Sequence, residues 1–412
     1  MKILVLAPDI PATSRMPGSP RLFSLCRELS RLHELFLVTY CSSHERYQSF
    51  LNDATTAHVF RRIDVLPDPP AVRWWGQQWH RAHLAAHFEM RYRHVAYFQS
   101  IRDRIWGLCL QECIDLIYVD ILPMTQYIDR TKNIPAIVDL HDSLTLLSRK
   151  MLKAERGWRN RLSVYLGLIG VQHLERSLGK TFDLIMTNSA VDEHVINELS
   201  TRLNTLTITN GVDMEYFSPS AGVVVEEDKI VFTGVMGYPP NEDAALFFAE
   251  DIFPLVKLKR PEVQFWIVGS EPSERVKALT RISGIHVTGK VDDVRPYLRS
   301  ATVFVCPLRI GSGVKNKILA AMAMQKAIVA TSMSIDGLDL ADNREVLLAD
   351  TPQDFAEKVV RLLKDQKAAQ QLGANGLARV QGQYSWTAMG KELETAIQSV
   401  MTGRTGRAHE LR

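Results

Sequence analysis

Several features that would narrow the class of this protein are scarce in its sequence. The 412 residues include five cysteines, an odd number without a paired CxxC spacing, which argues against a disulfide framework and against a zinc ribbon. The most apolar later run, residues 162–171, is too short to span a bilayer, and the first residues are too short for a secretion signal. We therefore expect reduced cysteines and a cytoplasmic protein that is attached, at most, to the inner face of the plasma membrane.

Charge of one sign is also not in excess. The chain has 49 Lys plus Arg and 46 Asp plus Glu, a net charge of +3, and 46% of its residues are hydrophobic. These values exclude a disordered or collagen-like chain and do not indicate a nucleic-acid-binding protein. Any basic site must be local.

Short apolar runs alternate with helical patterns along most of the chain. Runs rich in Ile, Val and Leu are typical of buried parallel strands that are covered by helices on both faces. In the first half, the predicted strands are residues 3–7, 35–40, 116–119, 136–139, 184–187 and 206–209. In the second half, they are residues 230–233, 264–268, 286–288, 303–306, 328–331 and 346–348.

A polar stretch rich in turn residues, 210–228, separates the two series of strands. We predict an α/β fold of two doubly wound, Rossmann-like domains that face each other across a cleft, with ligands at the carboxyl ends of the strands. The predicted bounds are 1–215 and 216–384 for the domains, 385–402 for a terminal helix and 403–412 for a disordered tail.

The most informative segment, residues 303–323, predicts a buried strand, a glycine loop and a helix that begins near Val314. Gly311 and Gly313 permit a sharp turn and a close approach of the backbone to a ligand, and the helix start favours an anion. The candidate ligand-binding residues of this loop are Arg309, Gly311, Ser312, Gly313, Lys315 and Lys317. The pattern indicates a phosphate or diphosphate site, or else a glycine turn with solvated lysines. It is neither a Walker A loop nor a dinucleotide fingerprint.

A second glycine loop follows the first strand of the second series. Residues 230–241 again predict a strand, a loop that contains Gly237, and a helix start. Phosphates commonly bind at this place in α/β folds, although Asn241 would also serve as a plain helix cap. The loop 289–293, which contains Val291, is a candidate lining for a base pocket through its backbone.

Together these segments resemble a family-4 retaining glycosyltransferase of the GT-B fold. The resemblance rests on Asn210-Gly-Val-Asp213 followed by Phe217 and Pro219, and on residues 265–269, 287–294 and 321–331, in that order. Within the family, the loop 234–241 most resembles a subgroup linked to bacterial exopolysaccharide and exosortase loci.

The resemblance implies transfer of a sugar from a nucleotide-sugar donor to a saccharide or polyprenyl-linked acceptor, without a metal or other cofactor. It places the donor diphosphate on Gly313 and Lys317 in the C-terminal domain, with Arg309 near it. It places the acceptor on the N-terminal domain, with Gly18 and Asn210 on the acceptor side. The terminal helix would cross back to that domain.

The sequence departs from the family at two acidic positions. The glutamates that the family commonly carries across this loop and helix fall on Ser312 and Ala320. This departure keeps a weakened or non-catalytic nucleotide-sugar-binding protein open as an alternative. A sugar-nucleotide hydrolase or epimerase on the same fold is a further alternative.

A polar cluster ends the predicted strand 136–139. Its candidate catalytic residues are Asp139, His141 and Asp142. Histidine exchanges a proton near neutral pH, and a carboxylate orients a nucleophile, so residues at this end of a strand favour a catalytic role. The alternative is that a carboxylate caps the next helix and that His141 only packs.

Two segments indicate contact with a membrane surface. Residues 149–161 contain six basic residues and one acidic residue, an amphipathic run follows, and residues 74–79 contain three tryptophans. This composition suits an anionic inner leaflet and a polyprenyl-linked acceptor. Ordinary helices with solvated basic faces and buried tryptophans would give the same pattern.

Four histidines fall on one face of a predicted helix, at His80, His83, His87 and His94. No carboxylate or cysteine completes a plausible ligand set beside them, so we predict no metal site.

Overall fold

A computed structural model describes residues 1–14, 16, 19–56, 58–68, 94–129, 133–155, 157–200, 203–219, 225–311 and 313–410. The chain divides into two units, Met1–Thr209 with Met389–Arg412, and Asn210–Ala388. The division after Thr209 lies close to the predicted boundary at residue 215.

The first unit is built on a parallel sheet with the strand order β3-β2-β1-β4-β5-β6-β7. Its strands are β1 (Lys2–Ala7), β2 (Glu34–Thr39), β3 (Arg62–Val65), β4 (Leu116–Asp120), β5 (Ala136–Asp139), β6 (Leu184–Thr187) and β7 (Thr205–Thr207). The order reverses between β1 and β4, which makes this the switch point of the sheet. Strand β3 was not predicted, because this half-buried edge strand alternates polar and apolar residues instead of forming an apolar run.

Helices cover this sheet. They are α1 (Arg21–Leu29), α2 (His44–Asn52), α3 (Val95–Glu112), α4 (Leu144–Ala154), α5 (Trp158–Ser177) and α6 (Ala190–Leu199). Serine side chains cap the starts of α2, α4 and α6, where Ser43, Ser143 and Ser189 each accept a hydrogen bond from a backbone N–H three residues on. The caps fix where each helix leaves its loop.

The second unit contains a parallel sheet with the order β10-β9-β8-β11-β12-β13. Its strands are β8 (Lys229–Thr233), β9 (Gln264–Val268), β10 (Ile285–Val287), β11 (Val303–Cys306), β12 (Ala327–Ala330) and β13 (Leu347–Leu348). Each predicted strand of this half is present, with bounds within about one residue of the prediction. The switch point lies between β8 and β11, which pair directly.

The helices of this unit are α7 (Pro239–Phe247), α8 (Phe253–Lys259), α9 (Glu274–Ala278), α10 (Arg295–Ser300), α11 (Asn316–Ala323), α12 (Pro352–Lys364) and α13 (Gln366–Gln383). A π-helical turn, Phe248–Ile252, joins α7 to α8. No helix in the described part of the chain combines the length and the apolar character that crossing a bilayer requires.

The last helix, α14 (Trp386–Glu410), begins in the second unit and belongs to the first unit from Met389 onward. The sequence predicted that this helix would end near Met401 and that an unstructured tail would follow; in the structure, the helix continues to Glu410. At its start, the ring of Trp386 lies so close to Gly211 that a Cβ on Gly211 would be 2.8 Å from it. The Val212 N–H also donates to the Tyr384 carbonyl at 2.8 Å, so the Asn-Gly-Val-Asp motif anchors the start of this helix.

Candidate active site

Two loops leave the second sheet side by side at its switch point. Strands β8 and β11 are neighbours, so the loop from Gly234 to α7 and the loop from Pro307 to α11 begin at the same edge. The sequence predicted a phosphate site in these two loops. Ligands of doubly wound folds bind at such a point, because the flanking helices diverge there.

Lys317, on the first turn of α11, connects the two loops. Its Nζ donates a hydrogen bond to Oδ1 of Asn241 at 2.6 Å and lies 4.4 Å from the centre of the Phe232 ring. Burial lowers the pKa of Lys317 to about 8. A buried ammonium group gains from an anion placed beside it, so this position suits a phosphate.

Gly234 leaves room for this contact. A Cβ at Gly234 would lie 2.8 Å from Nδ2 of Asn241 and 2.9 Å from Nζ of Lys317, so a side chain there would displace one of them. The capping alternative for Asn241 is wrong, because Tyr238 occupies the N-cap position of α7. The Asn241 side chain instead bridges Lys317 and the Val235 carbonyl, to which it donates at 2.9 Å.

The glycine loop before α11 adopts the conformation that its composition predicted. Gly311 and Gly313 have φ angles of 138° and 70°, where glycine is favoured. Lys315 occupies the N-cap position of α11 and folds back, donating from Nζ to the Gly313 carbonyl at 2.5 Å. This turn presents the start of α11 at the carboxyl edge of the sheet.

Arg309 is engaged by a residue that the sequence did not indicate. Its guanidinium donates to both carboxylate oxygens of Asp243, at 2.6 and 3.1 Å, and lies 4.1 Å from the centre of the Phe247 ring. The hydrogen bond to Asp243 raises the pKa of Arg309. A diphosphate would have to compete with Asp243 for this guanidinium. Lys317 is therefore a stronger candidate for binding the phosphate than Arg309.

The remaining donor-side candidates surround these loops. A Cβ at Gly237 would lie 3.1 Å from the Glu271 carbonyl oxygen, so this loop packs against the loop that follows β9. Val291 follows β10 and packs, partly buried, on the core of the second unit. Ala320 lies three residues after Lys317 on α11 and is 9% exposed. Ser312 lies outside the described residues.

A second polar cluster lies at the carboxyl edge of the first sheet. Asp120 and Asp139 end the neighbouring strands β4 and β5 and face each other in register. Nε2 of His141 donates to Oδ1 of Asp120 at 2.8 Å. Burial would lower the pKa of His141, but the charges of Asp120 and Asp139 raise it above its ordinary value. The site therefore favours a protonated imidazole.

The backbone of His141 is strained. Its φ of 63° is uncommon for a residue other than glycine. The His141 N–H donates to Oδ1 of Asp139 at 3.2 Å, and its carbonyl accepts from the Asn188 N–H at 2.7 Å. Strain of this kind persists where the surroundings enforce it, which is common at functional sites.

Asp139 is fully buried and holds the neighbouring residues in place through hydrogen bonds. Its carboxylate accepts from Nε of Arg21 at 2.8 Å and from the Tyr118 hydroxyl at 3.0 Å. Burial would raise the pKa of Asp139, but Arg21 lowers it. In this arrangement Asp139 holds Arg21 and the His141 backbone, whereas Asp142 is exposed. The helix-capping alternative holds for neither aspartate, because Ser143 caps α4.

Sequence reasoning missed Asp120 and Arg21. The sequence could have indicated Asp120, because it is the polar last residue of a buried strand, as Asp139 is. It could not have indicated Arg21, because an arginine on a short helix gives no local sign that it is buried.

Several predicted residues lie outside the part of the chain that the structure describes: Gly18, the tryptophans of 74–79, and His80, His83 and His87. Across the described ranges, no three His, Cys, Asp or Glu side chains are grouped so that they could hold a metal ion. Asn210 is the first residue of the second unit.

Comparison with known proteins gives a family match for most of the unit that contains Lys317. Residues 227–365 match the family model named "Glycosyl transferases group 1". The match lies wholly within the second unit. Its two glycine loops, with Lys317 and Asn241, lie within the matched residues.

A curated relative of this chain is the capsular polysaccharide biosynthesis glycosyltransferase CapM of Staphylococcus aureus. It is 22% identical over 243 residues, which cover 55% of this chain and 63% of CapM. The chain spans less than two thirds of the length of the curated relatives that it matches.

Solved structures resemble the chain over nearly its whole length. Sucrose-phosphate synthase from Thermosynechococcus elongatus has a TM-score of 0.67 at 14% identity, covering 98% of this chain and 100% of that one. Anabaena Alr3699/HepE in complex with UDP has a TM-score of 0.64 at 13% identity, covering 97% and 100%. These similarities confirm the predicted fold, which is GT-B with two Rossmann-like, parallel-sheet domains.

Proposed function

We propose that the protein transfers a sugar from a nucleotide-sugar donor to a saccharide or lipid-linked acceptor, with retention of configuration, in the synthesis of a capsular or other cell-surface polysaccharide. The observation that carries this proposal is Lys317, buried against Asn241 at the switch point of the second sheet, with its pKa lowered to about 8. The similarity to CapM, a glycosyltransferase of capsular polysaccharide biosynthesis, supports the class of product. The proposal includes the family-4 subtype and the exosortase-linked subgroup.

In the proposed reaction, the bond between the anomeric carbon and the diphosphate oxygen breaks, and an acceptor hydroxyl oxygen bonds to that carbon. The hydroxyl proton passes to the departing diphosphate. Negative charge grows on this leaving group, and in this proposal the Lys317 ammonium stabilises that charge. The protein supplies this cation itself, so we propose a metal-independent reaction with the nucleotide sugar as substrate.

On the acceptor side, we propose that His141 donates a hydrogen bond to a sugar hydroxyl and that the exposed Asp142 contacts the acceptor. Asp120 and Asp139 are positioning residues in this proposal, because they hold the imidazole and the backbone of His141. Gly18 and Asn210 remain predicted acceptor-side residues. We place the reaction in the cytoplasm, at the inner face of the membrane.

The first experiment is a calorimetric titration with UDP, the nucleotide bound in the HepE structure, followed by a panel of UDP-sugars with product analysis by NMR. Transfer with an unchanged anomeric configuration supports the proposal. Release of free sugar, or epimerisation of the donor, would favour the hydrolase or epimerase alternative. Failure of every nucleotide tested to bind would contradict the assignment of the Lys317 site.

One observation favours a second candidate function. Ala320 offers no side-chain acceptor on the turn of α11 that follows Lys317, where the family resemblance implies a glutamate that holds the ribose. A protein that binds nucleotide sugars without turnover would tolerate this loss. Donor binding without any product in the same assay would support this second function.

A further inference from the structure

The outer face of α5 exposes a continuous apolar surface. Its members are Trp158, Leu162, Tyr165, Leu166 and Ile169, which are 70%, 52%, 50%, 60% and 48% exposed. At about 100° per residue, they fall within one arc of roughly 100° on the helix. The buried residues of the same helix, Leu168, Val171 and Glu175, lie on the other side of it. Single exposed apolar residues are ordinary, but a contiguous patch indicates an interaction surface.

Basic side chains border this apolar face. Arg159 and Arg161 are exposed and lie on either side of the arc near its N-terminal end. Arg161 donates to the carbonyls of Leu152 and Glu155, at 3.0 and 3.1 Å, which fastens the end of α4 to the start of α5. The exposed Lys153 is therefore held near the same end of the face.

The wider charge balance is also positive. Arg149 is paired with Glu198 at 2.7 Å, and Lys150 is exposed beside it on α4. Glu155 is the single acidic residue of 149–161. Positive charge therefore borders the apolar face at the N-terminal end of α5.

We propose that this face docks on an anionic lipid bilayer. Trp158 and Tyr165 are residue types that favour the headgroup region, and Leu162, Leu166 and Ile169 can enter the acyl boundary. The bordering cations then meet anionic headgroups. A parallel pairing of this face with a second copy of the chain is disfavoured, because it would bring the two cationic ends together.

Docking itself requires no nucleotide. The proposal rests on the proposed function only in bringing a lipid-linked acceptor within reach of the protein. Membrane binding and sugar transfer can therefore fail independently, and each is measured without the other.

The test uses the full chain in flotation assays with vesicles of phosphatidylcholine alone, or of phosphatidylcholine and phosphatidylglycerol in equal parts. We expect flotation with the anionic vesicles. The double variant Leu162→Asp/Leu166→Asp should abolish it. Matched controls are Leu110→Asp on α3 and Leu258→Asp on α8, at residues that are 77% and 81% exposed, and both controls should still bind.

A second double variant tests the charges. Lys153→Gln/Arg159→Gln should weaken partitioning by roughly thirty-fold, because each cation near an anionic surface contributes on the order of one kcal/mol. Added salt should weaken binding of the parent and affect this variant less. Brominated acyl chains should quench Trp158 fluorescence, which is checked by comparison with Trp158→Phe.

Three outcomes would overturn the proposal: no flotation of the parent, equal binding to neutral vesicles, or loss of binding in the two controls as well. If light scattering showed a dimer that Leu162→Asp/Leu166→Asp converts to a monomer, the face would be a self-interface instead, and the proposal would also fail. UDP titration of the same variants in solution shows whether they are folded. A variant that binds UDP normally but does not float supports docking through this face. If the parent binds UDP normally but does not float, docking fails and the proposed function still stands.

Discussion

The depressed pKa of Lys317 predicts how tightly a nucleoside diphosphate binds. A fall from 10.5 to about 8 means that burial disfavours the protonated amine by about 3 kcal/mol, since one pKa unit corresponds to about 1.4 kcal/mol. A diphosphate beside Nζ offsets that cost through a charge-assisted hydrogen bond worth about 1.5–3 kcal/mol. Lys317→Ala should therefore weaken UDP binding by roughly tenfold to a hundredfold, as measured by calorimetry.

The same reasoning predicts a dependence on pH. Only the protonated amine attracts the diphosphate strongly, so the affinity of the parent should fall about tenfold per unit above about pH 8. Lys317→Ala should show no such fall, and Lys317→Arg should keep a charge throughout. Uridine, which lacks the diphosphate, should bind equally to the parent and to both variants.

Lys326 offers a matched control in the same unit. Burial also lowers its pKa to about 8, but it donates to the Arg299 and Ala301 carbonyls at 2.6 and 3.0 Å, at the amino end of β12. Lys326→Met should lower stability and leave UDP affinity unchanged. The assignment is refuted if Lys317→Ala binds UDP as the parent does, or if the affinity of the parent does not change between about pH 7 and 9.

Three further predictions concern other residues. His141→Ala should lower kcat and leave UDP affinity unchanged; an equal loss of UDP affinity would mark His141 as structural. Ala320→Glu should tighten UDP binding by roughly tenfold, as a restored acceptor for ribose hydroxyls, and unchanged affinity would mean that the ribose is held in another way. Burial raises the pKa of Glu175 from 4.5 to about 7, so the parent should lose about 3 kcal/mol of stability as the pH rises through that window. Glu175→Gln should remove this loss from urea unfolding measured at about pH 5 and pH 8, and an unchanged pH profile would contradict the reasoning.

The local sequence pattern was sufficient to predict the strands of the second unit and the position of its glycine loops. A parallel strand covered on both faces must be apolar along its whole length, so a short run of Ile, Val and Leu identifies it. Gly311 and Gly313 are informative for a similar reason, because their φ angles are ones that other residues rarely adopt. The edge strand β3 lacks such a run and was missed for that reason.

The hydrogen-bonding partners of the candidate site residues could not be predicted from the local sequence pattern. Arg309 pairs with Asp243, which lies 66 residues away along the chain, and Arg21 pairs with Asp139, which lies 118 residues away. Whether a charged side chain faces a ligand or a buried partner depends on such distant contacts. The sequence therefore predicted Asp139 as a catalytic candidate, and the structure places it beneath His141.

The sequence by itself determined the two series of β/α units, a domain boundary at residue 215, close to the observed one, and the position of the glycine loops, because hydrophobic period and glycine position are local properties of the chain. Only the tertiary structure decided that Lys317 meets Asn241, that Asp120 holds His141, and that the apolar residues of α5 are exposed. Amphipathic spacing on α5 shows that apolar residues share a face, but the burial of that face depends on what the rest of the unit packs against it. Pairing across strands and loops likewise arises only when the sheet order brings β4 beside β5 and β8 beside β11.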